Sequence, residues 1–103
     1  MSIIWKVFRN NAADISAPVK GTVTNNSIVV TGTVEWYKDG ATWGVAYKKN
    51  ADTDWTHVAS TSKSINETLT SLTESTKYNI KLYVKFDDEY QYGPSIDVTT
   101  SAS

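Results

Sequence analysis

The sequence predicts an all-β fold, and three observations support this class. The first is a strict alternation of apolar and polar residues over residues 78–84, which places the apolar side chains on one face of an extended strand. The second is an alternation of the same period over residues 28–36. The third is a pair of turn signals that flank this run, Asn25-Asn26-Ser27 and Lys38-Asp39-Gly40. Together they predict several short strands joined by turns.

The segment that leads into the strand at residue 78 carries a specific spacing. Leu69, Leu72, Thr76 and Tyr78 stand in the order Leu-x-x-Leu-x-x-x-Thr-x-Tyr. This order resembles the E–F corner of the fibronectin type III family, in which a tyrosine hydroxyl bonds back to the backbone. A corner between two sheets leaves backbone groups unpaired, and a tyrosine brings an oxygen to them while its ring stays buried. Tyr78 is therefore expected to be structural, with its hydroxyl bonded near Leu72 or Glu74.

The resemblance covers residues 17–100 and implies a seven-stranded antiparallel Greek-key β-sandwich of the fibronectin type III type. A different immunoglobulin-like topology is the alternative fold, because the absence of cysteine argues against antibody-type domains but not against their relatives. Residues 1–16 are expected to form a short N-terminal extension or an extra strand, since Ile3, Trp5 and Val7 share one face of an extended segment. A short helix is the alternative there. Residues 101–103 are read as a tail.

The first two strands of the sandwich follow from the residues after Ala17. Pro18 suits the start of an edge strand, and residues 19–23 alternate weakly, which predicts strand A. Strand B follows over residues 28–36, with Ile28, Val30, Val34 and Trp36 on its inner face. Trp36 resembles the core tryptophan of the family's B strand and is expected to pack between the sheets.

The remaining strands follow from three further patterns and one departure. Trp43, Val45 and Tyr47 resemble the family's aromatic-x-Val-x-Tyr pattern, which places them inward on strand C. Trp55 resembles the residue that opens the C′ strand, which lies against the edge of the sandwich. Strand E is predicted over residues 65–69, although Glu67 stands where the family more often has an apolar residue. Strand F is the alternating run at residue 78, and strand G follows Gly93-Pro94-Ser95, with Ile96 and Val98 inward.

Composition excludes several classes of partner. Ten basic residues against eleven acidic ones leave no strong field that would gather nucleic acid or an anionic membrane. No apolar run reaches the roughly 18 residues of a spanning helix, so membrane insertion is not expected. Because cysteine is absent, disulfides, thiolate nucleophiles and thiolate metal sites are impossible. The first thirteen residues lack the long apolar centre of a secretion signal.

The sequence carries no catalytic motif. His57 is the only histidine and is expected to be a half-exposed imidazole without a chemical role. No nucleophile elbow, glycine-rich phosphate loop or metalloprotease motif occurs. Asp87-Asp88-Glu89 is the one carboxylate cluster, at the expected tip of the F–G hairpin, and we interpret it as a solvated turn because calcium needs six to eight ligands. We therefore expect no enzyme activity, cofactor or metal.

The resemblance implies a module that does no chemistry itself. Members of the family that the chain resembles serve as spacers and recognition surfaces in adhesion proteins, receptors, microbial surface enzymes and phage tails. The expected function is a structural or interaction module, for adhesion or spacing, in a cell-surface, secreted or phage-tail protein. The alternative is a carbohydrate-binding module or the non-catalytic appendage of a carbohydrate-active enzyme. The expected location is extracellular, at the cell surface or in a virion.

Any partner, whether a protein, a glycan or a neighbouring domain of a larger polypeptide or assembly, is expected on the exposed face of strands C, F and G together with the F–G tip. Tyrosine is a favoured interface residue because it buries a large area at little entropic cost. If the solvent-facing tyrosines, with or without Trp55, form a coplanar row, they indicate a sugar site, whereas scattered ones indicate ordinary surface. The predicted partner surface consists of Lys48, Lys81, Tyr83, Lys85, Tyr90 and Tyr92. The predicted structural residues are Trp36, Tyr47, Leu69, Leu72 and Tyr78.

Overall fold

The strands of the chain form two antiparallel sheets that pack face to face. The computed structural model describes residues 14–35, 40–86 and 88–102, which contain nine strands and no helix. This confirms the all-β class. The strands are β1 (Asp14–Ile15), β2 (Val19–Val23), β3 (Ile28–Glu35), β4 (Thr42–Lys49), β5 (Thr56–Ser60), β6 (Ser64–Leu69), β7 (Lys77–Phe86), β8 (Glu89–Tyr92) and β9 (Ile96–Thr99).

The first sheet is organised around β3. Strand β1 pairs with its C-terminal end, β2 with its N-terminal half, and β6 with residues 28–33. The second sheet is organised around β7, which pairs with β4 along almost its whole length and with β8 and β9 at its two ends. Strand β5 completes this sheet by pairing with β4. Since β3 pairs with β6 and β4 with β7, the connections cross between the sheets in the Greek-key manner that was predicted.

Nine strands appear where seven were predicted. The predicted strands A and G correspond to β2 and β9, and the two additional strands are β1, in the segment expected to be an extension or an extra strand, and β8. Pro18 interrupts the chain between β1 and β2, and Gly93-Pro94-Ser95 interrupts it between β8 and β9. Proline has no backbone N–H and cannot donate to a ladder, so both interruptions follow from local chemistry. The limits of the domain at residues 16 and 100 stay predictions.

The core lies between the sheets and is built by the alternation that the sequence shows. Val45, Ile80 and Leu82 from the second sheet are completely buried against Ile28 and Val30 from the first. Trp43 and Tyr47 lie on the inner face as predicted, half-buried at the two ends of β4. Leu69 and Leu72 are buried at the corner. The predicted positions of Trp36, of the strand at residues 3–7 and of Asp87 fall outside the described residues.

The tyrosine corner is confirmed. Tyr78 is only 3% exposed, and its hydroxyl accepts a hydrogen bond from the backbone N–H of Thr73 at 2.8 Å, between the two residues that were expected. Thr100, which the sequence did not single out, is buried beside it. The Thr100 hydroxyl donates to the Thr73 carbonyl at 2.6 Å and accepts from the Thr76 N–H at 3.0 Å. The corner is thus held by two side chains, one on β7 and one directly after the end of β9.

Glu67 occupies a core-facing position of β6, and its carboxylate accepts a hydrogen bond at the edge of the sandwich. The side chain is half-buried between the buried residues Ile65 and Leu69. The Ser60 hydroxyl on β5 donates to its carboxylate at 2.7 Å. Since β5 belongs to the second sheet and β6 to the first, this bond joins the two sheets and accounts for an acid at a position expected to be apolar.

Candidate functional site

The outer face of the second sheet, which points away from the core, contains most of the chain's unusual surface chemistry. Alternation along β4 places the small residues Gly44 and Ala46 on this face. Both are buried, Ala46 completely, although they lie on the side of the sheet that faces away from the core. They are covered because larger side chains from β5, β7 and β8 fold over the central strand. A pattern with large outer residues on β4 would have kept those side chains apart.

Aromatic rings form this cover. His57 on β5 stands opposite Ala46, with its ring centroid 4.9 Å from that of Tyr83 and 4.5 Å from that of Tyr90. Tyr83 meets His57 edge to face at 86° and Tyr90 at 5.6 Å and 62°. Edge-to-face contacts of this kind are favourable because a positive ring edge meets a negative ring face. Tyr83 is consequently only 4% exposed.

The burial of Tyr83 corrects the expectation that it faces solvent. Its position on the outer face was predicted rightly, but its ring is buried beneath the rings of His57 and Tyr90. Tyr90 and Tyr92 remain accessible, at 40% and 39% exposure. Tyr83 is therefore the base of the cluster rather than a contact residue.

Tyr90 and Tyr92 lie two residues apart on β8 and stack. Their centroids are 5.8 Å apart and their planes differ by 6°. The Tyr92 hydroxyl is hydrogen-bonded to His57 Nε2 at 3.1 Å, which joins β8 to β5 across two intervening strands. The coplanar row that would indicate a sugar platform is not what forms, because the two rings stack against each other.

Lysine ammonium groups occupy the remaining ring faces. Lys81 Nζ lies 4.0 Å from the centroid of Trp55 and 3.6 Å from that of Tyr92, so the cation is held between two rings. Lys48 Nζ lies 5.3 Å from the Trp55 centroid, and Lys85 Nζ lies 5.4 Å from that of Tyr90. Such contacts attract a cation to the negative face of a ring. We call this series the cation–aromatic ladder: Lys85, Tyr90, Tyr92, Lys81, Trp55 and Lys48.

A hydrogen bond to Asn79 fixes Lys48, the lysine at one end of the ladder. Lys48 Nζ donates to Asn79 Oδ1 at 2.8 Å. Asn79 Nδ2 in turn donates to Asp97 Oδ1 at 2.8 Å and to Asn50 Oδ1 at 3.0 Å. These bonds fix the amide of Asn79 and hold the Lys48 ammonium beside Trp55.

Known proteins identify the architecture. No family model and no curated protein sequence matches the chain. Among solved structures, a fibronectin type III domain from the human KIAA0970 protein is 16% identical, with a TM-score of 0.69 over 98% of this chain and 82% of that one. The chain has a fibronectin type III fold. The sensor domain of the anti-sigma factor RsgI4 from Pseudobacteroides cellulosolvens is 20% identical, with a TM-score of 0.72 over 88% of this chain and 96% of that one. A β-sandwich protein redesigned by computer is 26% identical, with a TM-score of 0.65 over 84% and 95%.

The electrostatics of the ladder on this type III sandwich follow from crowding of like charges. Burial, with the Lys81 and Lys85 charges, lowers the pKa of His57 below its ordinary value. Burial and the Lys48 charge lower the pKa of Lys81. For Tyr83 and Tyr92 burial raises the pKa, and the neighbouring tyrosines add to the effect. At neutral pH the face therefore carries lysine charges around a neutral imidazole and neutral phenols.

Ring faces, phenol hydroxyls and ammonium groups are the chemistry that this arrangement presents. Across residues 14–35, 40–86 and 88–102, no group of three histidine, aspartate or glutamate side chains could hold a metal ion. No helix in that part of the chain is long and apolar enough to cross a membrane. Type III domains are generally non-catalytic, and the His57 ring is packed among phenols rather than beside a nucleophile.

Sequence reasoning placed the six predicted surface residues on the correct face but missed the centre of the cluster. Five of the six have a ring or ammonium on the ladder, and Tyr83 lies beneath it. His57 was expected to have no role, yet its ring contacts three tyrosines. The signal was the two-residue spacing of Trp55 and His57, which puts both on one side of the extended chain that enters β5. The assignment of these residues to a partner surface stays a prediction.

Proposed function

We propose that this type III domain is a non-catalytic interaction module that holds its partner on the outer face of the second sheet. One observation carries the proposal: the cation–aromatic ladder fixes three lysines and three rings on a sheet face that would otherwise need only solvated side chains. Tyr and Trp side chains fixed before binding lose little entropy when a partner covers them. The ladder is therefore a pre-organised contact surface.

The setting that we propose is adhesion, spacing or recognition within a cell-surface, secreted or phage-tail protein. The fold supports this setting, because type III sandwiches serve as spacers and recognition surfaces in other proteins. The likeness to the sensor domain of an anti-sigma factor adds support for a recognition role exposed to the exterior. The absence of cysteine is compatible with virion parts, which assemble in a reducing cytosol.

Carbohydrate binding is the second candidate, because Tyr90 and Tyr92 are exposed aromatic rings. A sugar that stacks on an aromatic side chain needs an open ring face. Here the faces of Tyr92 and Trp55 are occupied by Lys81, and Tyr90 is flanked by Tyr92, His57 and Lys85. The geometry therefore favours a protein partner over a neutral glycan.

The test is a binding screen against a glycan array and against proteins encoded beside its gene, followed by variants of any interaction found. Tyr90→Ala and Tyr92→Ala remove exposed rings, and a contact at the centre of an interface is expected to lose about tenfold or more in affinity. Val19→Ala, which truncates an exposed apolar residue on the first sheet, is the matched control and should leave affinity unchanged. Tyr83→Ala is unsuitable because that ring is buried.

The proposal is wrong if both tyrosine variants bind every identified partner as tightly as the parent chain does. Circular dichroism of each variant establishes that the fold is intact, so an unchanged affinity would place the contact surface elsewhere. A neutral oligosaccharide whose affinity falls in the Tyr90→Ala variant would instead establish the second candidate.

A further inference from the structure

The lysines of the ladder are held by rings rather than by acids. Lys81 is fixed between Trp55 and Tyr92, and Lys85 lies against Tyr90. In the described part of the chain, neither ammonium group forms an ion pair. Lys48 donates to the neutral amide of Asn79, and the nearby Asp97 carboxylate accepts from the same amide. Three positive charges are therefore positioned on one face, and among the described residues no carboxylate pairs with Lys81 or Lys85.

Such an arrangement is costly unless something offsets it. Burial, and after it the nearby Lys48 charge, lower the pKa of Lys81. Lysines that merely keep a sheet face soluble extend freely into water, whereas these are drawn onto ring faces. An anionic partner would relieve the repulsion and would bind groups whose positions are already set.

From this geometry we propose that the partner on the outer face is an extended acidic peptide segment. The proposal rests on the proposed function and adds the chemistry of the partner. Side chains on one face of a strand recur about every 6.7 Å, so Lys81 and Lys85, four residues apart on β7, begin about 13 Å apart along the sheet. Lys48 stands opposite Asn79, about 7 Å beyond Lys81.

An extended peptide that lies along β7 has the same repeat. Carboxylates at its positions i, i+2 and i+6 would face Lys48, Lys81 and Lys85 respectively. Position i+4 would lie at the level of Tyr83 on β7, where the exposed ring of Tyr92 on β8 offers its edge to an apolar side chain. A peptide in the opposite direction meets the same pattern in reverse order.

An acidic polysaccharide is the competing anion. It would need sugar rings to stack on open aromatic faces, and the faces of Trp55 and Tyr92 are occupied by Lys81. What the ladder leaves available is ammonium groups, ring edges and phenol hydroxyls. These groups match carboxylates and small apolar side chains, so the peptide is favoured.

The experiment titrates the isotope-labelled chain with a capped peptide, Glu-Ser-Glu-Ser-Leu-Ser-Glu, and follows the ring signals of the single histidine together with the backbone amides. Binding should perturb His57 and the amides of β7 and β8 and should leave those of β2 unchanged. Raising the salt from about 20 to about 200 mM should weaken binding about tenfold, since the screening length falls from about 20 to about 7 Å. The same peptide with glutamine in place of glutamate should not bind.

Lysine variants test which positive charges contribute to binding of the peptide. Lys81→Gln and Lys85→Gln should each weaken binding about two- to fivefold, the range measured for exposed charge pairs. Lys81→Arg keeps the charge and should bind like the parent. Lys20→Gln, which removes the same charge from the exposed side of β2, should have no effect.

The proposal is overturned if the glutamine peptide binds equally well, if Lys20→Gln causes the same loss, or if polygalacturonate binds more tightly than the peptide. Its failure can be told apart from failure of the proposed function. If a partner binds the Tyr90→Ala variant more weakly but its affinity does not change with salt or in the two lysine variants, only the acidic-peptide proposal is refuted. If its affinity is unchanged in the tyrosine variants and in the lysine variants, the proposed function is refuted as well.

Discussion

Replacing Tyr78 with phenylalanine isolates the hydrogen bond that fixes the corner between the two sheets. The ring, only 3% exposed, stays in place, and the change removes the oxygen that accepts from the Thr73 N–H at 2.8 Å. A buried donor left without its partner costs about 1–3 kcal/mol. The side chain of Thr73 is exposed, so water can approach the N–H from outside. We therefore expect Tyr78→Phe to lower the free energy of unfolding by about 1–2 kcal/mol.

Urea unfolding followed by tryptophan fluorescence measures this loss, and the slope against urea should not change because the same surface is exposed. The melting temperature should fall by about 5–10 °C for a domain of this size. Tyr47→Phe is the matched control, since the Tyr47 ring packs 6.4 Å from that of Tyr78 and its hydroxyl makes no hydrogen bond to the described residues. A loss in Tyr78→Phe no greater than that in Tyr47→Phe would refute the structural role of the hydroxyl.

Three further predictions concern the corner, the central strand and the histidine. Thr100→Val removes a donor and an acceptor of the corner and should cost about 1–3 kcal/mol by urea unfolding, whereas Thr99→Val on the exposed side should cost little. Gly44→Ala would place a methyl group against the Val58 carbonyl and 2.9 Å from the Ala59 Cα, so it should destabilise the chain by about 1–3 kcal/mol in the same assay. An NMR titration should find the pKa of His57 below 6.5, and Lys81→Gln should raise it; an unchanged pKa would show that the Lys81 charge does not reach the ring. Because the folded-state pKa is depressed, the unfolded chain takes up the proton first, so stability is complete above about pH 6.5 and declines as the pH falls below it.

The fold could be predicted from the sequence because its strongest signals are local. Residues 19–23 were predicted as a strand and form one with the same limits, and the alternation of residues 78–84 placed Ile80 and Leu82 in the core. The corner spacing predicted both the burial of Tyr78 and the backbone segment that it bonds. The predicted count of seven was too low because β1 and β8, which precede Pro18 and Pro94 and pair with β3 and β7, were not counted as strands of the sandwich.

The sequence predicts on which face of the sheet the candidate site lies, but not which of its side chains are in contact. Alternation fixes which side of a strand a residue lies on, so Lys81 and Tyr90 were assigned correctly. Which rings are in contact depends on the register between β5 and β4 and on the size of the outer residues of β4. The alternation within one strand does not predict how that strand pairs with its neighbours. His57 shows the difference, since its ring reaches Tyr92, 35 positions away in the sequence. Thr100 was missed for the same reason, because its partners lie 24 and 27 positions away.

The cluster on the outer face and the core between the sheets lie on opposite sides of the same strands, and this separation bears on how the domain can function. Along β7, Ile80 and Leu82 point into the core, while Lys81 and Tyr83 point into the cluster. Removing an exposed ring at Tyr90 or Tyr92 therefore takes nothing from the core that holds the sheets together. The base of the cluster is different, because the Tyr83 ring is buried and packs edge to face against His57 and Tyr90. Substitutions at Tyr90, Tyr92 and the lysines would therefore change the proposed contact surface, whereas loss of the Tyr83 ring would remove packing from the outer face of the sheet itself.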